Sequence, residues 1–304
     1  MDAFDTVLIA MIAGGIRVST PFLFVSLGEC LTEVGGRINL GNEGALVLGA
    51  MTGYAASFQT GNPWLGVLAA AAAGAMLGGV HGAVCALKRV NDVAVGIAVM
   101  LAGTGIAFFF GKPYVQPSAP HLPTLPLGLW SRSPQVQSAL EVSPLFFIGI
   151  AVAVVLWWAL RTTRAGLRVR IVGDNADAAR ALGLKVNQVR FVATAIGSGL
   201  AGIGGAFLSL SYPGSWNEGL SSGQGLMAVA LVVFARWNPL WCIAAALVFG
   251  AAGALGPSLQ TVGVTQGYYL FYAAPYVATL LILVATVRPG RALRGMPGEL
   301  SIAR

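Results

Sequence analysis

From Phe191 to Val287 the chain carries only two charged residues, Glu218 and Arg236. No soluble fold leaves so long a stretch with so little charge. Composition says the same of the whole chain: apolar residues make up 56% and charged residues 10%, against about 25% charged in a soluble protein. The 41 glycines suit helices that pack closely in lipid. Hydrocarbon is therefore the solvent for most of the chain. A helix crosses the bilayer with about 20 mostly apolar residues. Candidate spans lie near 6–27, 44–60, 64–87, 93–111, 144–160, 191–211, 223–236, 239–256 and 268–287. The expected fold is all-α, a polytopic transmembrane helical bundle of about nine spans, with eight to ten as the range. It forms a single domain over 1–304. A first half covers about 6–160, a loop 161–190, a second half about 191–288 and a tail 289–304.

The net charge is +7, and its placement sets the orientation. Seven of the 18 Lys and Arg lie in Arg161–Arg190, four more in Arg288–Arg304, and Lys88 and Arg89 stand together between apolar runs. Basic clusters in short loops mark the cytoplasmic side, not a nucleic-acid surface, so no nucleic-acid partner is expected. Alternation then puts the N-terminus outside, the C-terminus in the cytoplasm and the Pro-rich loop 112–143 outside. That loop is expected to be extended chain. The N-terminus, Met-Asp-Ala-Phe-Asp, lacks a basic region, so the first apolar run is expected to be retained as a span. Cys30, Cys85 and Cys242 show no CxxC spacing and are expected to be buried small hydrophobes.

Three stretches depart from plain apolar helix. Residues 28–43 hold Glu29, Glu33, Arg37, Asn39, Asn42 and Glu43 among four glycines. Polar, glycine-broken backbone at membrane depth survives only where protein or a water-filled path surrounds it. A broken or re-entrant element is expected there, with Asn39, Asn42 and Glu43 as candidates for a solute path. Alternatively, Glu29 and Glu33 sit at the cytoplasmic interface and pair with Arg37. Around Trp216-Asn217-Glu218, Trp216, Ser222 and Gln224 are candidates to stack on or hydrogen-bond a solute. The plainer alternative is an interfacial aromatic belt and a helix N-cap at Ser221 or Ser222. In 161–190, Asp174 or Asn175 is placed to cap a helix through Ala176–Leu182 that Gly183 stops. That helix is either an ordinary solvated one or a docking element for a motor protein.

An ordered pattern also recurs. Gly41-Asn42-Glu43-Gly44 precedes Asn62-Pro63, and Gly223-Gln224-Gly225 precedes Asn238-Pro239. With the assigned topology the two copies are oppositely oriented, the mark of two inverted repeats with broken helices.

The run Gly166-Leu167-Arg168-Val169-Arg170 through Val172-Gly173-Asp174-Asn175 to Ala178-Ala179-Arg180-Ala181-Leu182-Gly183-Leu184 resembles the coupling loop of ABC importer permeases. The group is that of the branched-chain amino acid, ribose and nucleoside systems. Residues 26–53, with Gly36-Arg37-Ile38-Asn39-Leu40-Gly41-Asn42-Glu43-Gly44 at their centre, are most similar to the simple-sugar and nucleoside branch. The resemblance covers roughly residues 5–288. By this resemblance the usual first helix of that family is expected to be absent, which would fit nine spans and an outside N-terminus. The resemblance implies the membrane-spanning permease subunit of an ATP-driven importer in a bacterial inner membrane, moving a nucleoside or simple sugar by alternating access. Gly173, Asp174, Asn175, Ala178, Ala179, Arg180, Leu182 and Gly183 would couple to the ATPase. The implied partners are an ABC ATPase, a second permease (homologous or identical), an extracytoplasmic solute-binding protein and membrane lipid.

No GxxxxGK[ST] phosphate loop occurs, so ATP is expected on the partner subunit and no cofactor on this chain. His81 and His121 stand apart, and no metal-ligand cluster or nucleophile–base pair is legible, so the chain is not expected to be an enzyme. An ion-coupled secondary transporter is the main alternative, with Glu29 and Glu33 as its proton carriers, although no His or Lys relay accompanies them.

Overall fold

The computed structural model describes residues 3–87, 89–129, 137, 140–211, 213–260, 273–286 and 295–301. Lys88, Arg132, Pro134, Tyr212, the start of the last expected span at 268–272 and the basic residues Arg288, Arg291, Arg294 and Arg304 lie outside them.

The described chain is helical almost throughout. In order come α1 Ala3–Val34, α2 Asn42–Thr60, α3 Pro63–Val84, α4 Asp92–Gly111, α5 Pro144–Thr162, α6 Arg164–Asp174, α7 Ala176–Ala181, α8 Val186–Leu210, α9 Gln224–Phe234, α10 Pro239–Gln260, α11 Ala274–Thr286 and α12 Gly298–Ser301. Among the described residues six stretches are long and apolar enough to cross a membrane: Met11–Val34, Pro63–Val84, Asp92–Tyr114, Pro144–Thr162, Val186–Leu210 and Pro239–Gln260. The other three expected spans fall on α2, α9 and α11. These are helices as well, but α2 is more polar and α9 is short, and α11 is the described part of the last of them.

Side-chain caps start many of these helices. Asn62 Oδ1 accepts from the Trp64 N–H ahead of Pro63, and Asn91, Ser143, Thr163 and Asn175 cap α4, α5, α6 and α7 in the same manner. Asn238 Oδ1 accepts from Leu240 N at 3.1 Å, so both Asn-Pro pairs open a helix. The cap expected at Ser221 or Ser222 is not there. α9 starts after Gly223, whose φ of +79° takes the left-handed turn, with no side-chain cap.

The core is organised around α8. This helix packs against α1, α2 and α3, and its glycines make the approach possible. A Cβ on Gly197 would strike the Gly28 carbonyl, one on Gly202 that of Ala70 and one on Gly205 that of Leu46. Lipid supplies no hydrophobic drive between helices, so close van der Waals contact at small residues holds them. Gly250 of α10 meets the Gly15 carbonyl of α1 in the same way. Two apolar clusters result, one over α2, α3, α8 and Trp216, the other over α1, α5, α9 and α10. All three cysteines are free and buried.

Where described, the Pro-rich segment is irregular chain with bends and turns, holding a short 3-10 turn at Lys112–Tyr114 and a two-residue ladder of β1 Leu125–Pro126 with β2 Glu141–Val142. It is tied down by the Tyr54 hydroxyl donating to Pro117 O and the Ser57 hydroxyl donating to Pro120 O, each at 2.8 Å.

The 28–43 stretch corrects one expectation. α1 does not break at Gly28 but continues to Val34, and the chain leaves helix only over 35–41. Glu29 and Glu33 therefore stand on the helix, 0% and 2% exposed. Neither pairs with Arg37, whose carboxylate partner is Asp92 at 3.1 Å.

Candidate functional site

The break between α1 and α2 is held by a buried polar network. Asn39 N donates to Glu29 Oε1 at 2.9 Å, and Asn42 Nδ2 donates to Glu29 Oε2 at 2.6 Å. Asn39 Nδ2 reaches Ser198 Oγ on α8 at 2.8 Å, and Ser198 Oγ donates to Asn42 Oδ1 at 2.9 Å. Each partner satisfies the others, which a low-dielectric interior demands. Glu29, with one donor on each oxygen, acts as a fixed acceptor joining α1, α2 and α8.

One residue further on, the network changes element. Glu43 accepts from the Ser221 hydroxyl and from Gly225 N, both at 2.6 Å. The first turn of α2 thus meets the first turn of α9. Two helix N-termini share one carboxylate, which complements the unpaired N–H groups and positive dipole ends there. Gly225 is required, because a Cβ there would lie 2.5 Å from Glu43 Cα. Beside it, Gln224 Oε1 is buried with no hydrogen-bond partner among the described residues.

Arg37 clamps the same break from the other side. Its Nη2 donates to Cys85 O at 2.5 Å and its Nη1 pairs with Asp92 at the start of α4. Burial pulls this guanidinium below its ordinary value and nearby Arg190 adds to that, while Asp92 opposes both. Glu33 accepts from the indole N–H of Trp237 at 2.5 Å, fixing the α9–α10 turn to the end of α1. Arg236 and Trp237 take φ of +50° and +52°, a left-handed turn unusual for such residues.

The second constellation is the helix pair α6–α7. Asn175 Oδ1 accepts from Asp177 N at 3.0 Å and Ala178 N at 2.9 Å, and Gly183 at φ +77° ends the turn. α7 buries Ala176 and Ala179 and turns Ala178, Arg180 and Leu182 outward, Leu182 being 69% exposed. The inner side is fastened at several points. A Cβ on Gly173 would strike the Val34 carbonyl, so the end of α6 lies on the end of α1. Arg190 Nε donates to Gly35 O at 3.1 Å, and its Nη2 pairs with Glu299 at 3.0 Å. Glu299 in turn accepts from Ala176 N at 2.9 Å. Burial alone would raise the Glu299 carboxyl, but the Ala176 N–H and Arg190 together hold it below its ordinary value.

Asn39 and Asn42 come together, then, while Glu43 next to them in the chain bonds Ser221 and Gly225, the neighbour of Gln224. Trp216 does not join them. It is 2% exposed, packs on Gly111 and donates Nε1–H to the Gly111 carbonyl at 3.0 Å. Ser222 is exposed and donates to Gly219 O at 3.1 Å. Of the two residues offered as the α7 cap, Asn175 serves, and Asp174 closes α6. Ser198, Asp92, Arg190 and Glu299 were not legible in the sequence, and Ser221 and Gly225 were legible only as a helix cap and part of a repeat, not as partners of Glu43. Lone serines in apolar runs and charges at helix ends are common, and their partners lie far away in the chain.

Spanning helices arranged around a polar break, with helix N-termini turned toward one another, are the build of a membrane transport protein. The family model for the branched-chain amino acid transport system / permease component matches residues 11–286, and the chain belongs to that family. It is 33% identical over 293 residues to the "Putative glucose ABC transporter permease protein TsgC13" of Haloferax volcanii, covering 95% of this chain and 88% of the relative. It is 28% identical to the nucleoside ABC transporter permease protein NupC of Lactococcus lactis, with 93% of each chain covered. To the guanosine ABC transporter permease protein NupQ of Bacillus subtilis it is 29% identical, with 94% of each covered. Among solved structures, the fold is similar to "An inward-facing conformation of a putative metal-chelate type ABC transporter", with TM-score 0.52, 12% identity, and 94% and 99% of the two chains covered. The chain is a multi-pass membrane protein of the transport-subunit kind.

Proposed function

We propose that this chain forms the solute path of an ATP-driven importer and carries a nucleoside or simple sugar by alternating access. ATP would be hydrolysed by a partner subunit. A second permease, identical or homologous, would complete the path, and a solute-binding protein would deliver the solute from outside. The N-terminus lies outside and α6–α7 with the C-terminus in the cytoplasm, as the basic clusters at Arg161–Arg190 and Arg288–Arg304 favour.

The observation that carries this reading is the fastening of α7. Its outward face, Ala178, Arg180 and Leu182, is free for an ATPase, while Ala176, Arg190 and Glu299 bind its inner face to Gly35. From Gly35 the backbone of the break leads on to Asn39 and Asn42, which bond Glu29 and Ser198, and then to Glu43, which bonds Ser221 and Gly225. A push on α7 therefore acts on the facing N-termini of α2 and α9. The orphaned Gln224 oxygen beside them would suit a solute hydroxyl or amine. Relatives named for nucleosides, guanosine and glucose support the solute class.

The test is purification and uptake with the cognate ATPase and binding protein. The wild-type chain should bring down the ATPase, and a chain with Leu182→Glu and Ala178→Glu should lose it while keeping its fold. Labelled guanosine or glucose should enter in an ATP-dependent manner. Uptake of leucine alone would overturn the solute class, and uptake driven by a proton gradient without an ATPase would overturn the mechanism.

A further inference from the structure

A cavity of about 270 Å³ opens between the end of α5, the end of α6 and the α9–α10 turn. Arg161, Arg170 and Arg236 line it, with Trp157, Asp174 and Pro297. None of the three guanidinium groups has an ion pair among the described residues. Arg161 lies 4.9 Å above the Trp157 ring, which positions it without neutralising it. Three cations against one carboxylate leave a surplus of positive charge that the fold itself does not use. Planar guanidinium groups converging on one hollow match the oxygens of a phosphate or carboxylate, so a pocket of this kind is suited to an anion.

The depth of the pocket favours one source of that anion. Trp158 in the last turns of α5 and Trp241 in the first turn of α10 are 55% and 62% exposed. Tryptophans at helix ends beside arginines mark the headgroup level of a bilayer. We infer that this pocket binds the phosphate of an anionic phospholipid. With the proposed orientation the lipid belongs to the cytoplasmic leaflet, where anionic lipids attract basic residues next to spans. The lipid would then bridge α5–α6 to the α9–α10 turn, alongside the residues proposed for coupling.

The experiment is native mass spectrometry of the full chain from nanodiscs of equal phosphatidylglycerol and phosphatidylcholine. The expected result is one retained phosphatidylglycerol in preference to phosphatidylcholine. In Arg170→Gln with Arg236→Gln, retention should fall about thirtyfold, on the scale of a few-fold per basic residue at a membrane surface. Arg164→Gln with Arg168→Gln makes the same charge change outside the pocket and should retain the lipid. Thermal unfolding in detergent keeps a folding defect separate from a binding one, and Arg170→Lys, which keeps the charge, should retain more lipid than Arg170→Gln. Equal retention of both lipids, or equal loss in both double variants, would overturn the site. Inorganic phosphate binding to lipid-free protein at the same arginines, with no lipid retained, would overturn the lipid assignment in favour of a soluble phosphate. So would loss of ATPase co-purification in the pocket variant with lipid retention unchanged, because a partner's acidic segment would then be the occupant.

Discussion

At the scale of the residue, one added methyl group has opposite outcomes at different glycines. Gly197→Ala places a Cβ on the Gly28 carbonyl and 2.6 Å from Thr32 Oγ1. Two helix backbones must separate, and the loss should be about 1–3 kcal/mol, read as a lower unfolding temperature in detergent. Gly105→Ala, on α4 with open space around it, should be neutral or stabilise by up to about 1 kcal/mol. Asn42→Asp replaces the donor that serves Glu29 with a second carboxylate, and should cost at least about 2 kcal/mol by the same measurement. The sequence made Asn39, Asn42 and Glu43 conspicuous because polar groups between apolar runs need a reason. It did not show that Arg37 answers to Asp92 and not to Glu29 or Glu33. Pairing of residues 55 positions apart depends on where α4 begins beside the break, which spacing along the chain does not encode.

At the scale of the element, α7 is a helix of six residues that owes its existence to its ends. Asn175→Ala should cost about 1 kcal/mol locally. Amide exchange over Asp177–Ala181 should quicken while the unfolding temperature of the whole chain stays put. The Glu299 contact gives this element a pH dependence of defined sign. Its carboxyl sits below its ordinary value in the folded chain, so the unfolded chain holds the proton more tightly. Its stabilising contribution is full above the ordinary carboxylate range and is lost as pH falls through the folded value. Protection of the α7 amides, taken relative to the free-chain exchange rate at each pH, should be flat from about pH 6 to 8 and fall below about pH 4.5, and Glu299→Gln should remove that step. The short helix ending at Gly183 was legible from Asn175, the alanines and Gly183, each of which has one strong local preference. The continuation of α1 to Val34 was not. Its glycines argue against helix and its acids against membrane depth, and the partners that hold Glu29 and Glu33 come from the break, from α2 and from the α9–α10 turn.

At the scale of the whole molecule, the positions of charge give a prediction about sides. Single cysteines at Gly61 and at Gly183, in a background without Cys30, Cys85 and Cys242, should label from outside and from the cytoplasm respectively with a membrane-impermeant reagent. The reverse pattern would invert the proposed orientation. The helical class and nearly all helix positions were legible because apolar run length dictates them. The arrangement of those helices was not, because nothing in the run of α8 announces that its glycines face α1, α2 and α3 at once. That arrangement has a mechanical meaning. Where side chains separate two helices, rotamers can change and the contact yields. Where one backbone rests on another, as at Gly197, Gly202 and Gly205, nothing is left to compress. The α1–α2–α3–α8 group is therefore stiff in the engineering sense, and a displacement applied where Gly173 meets Val34 reaches its far end with little damping.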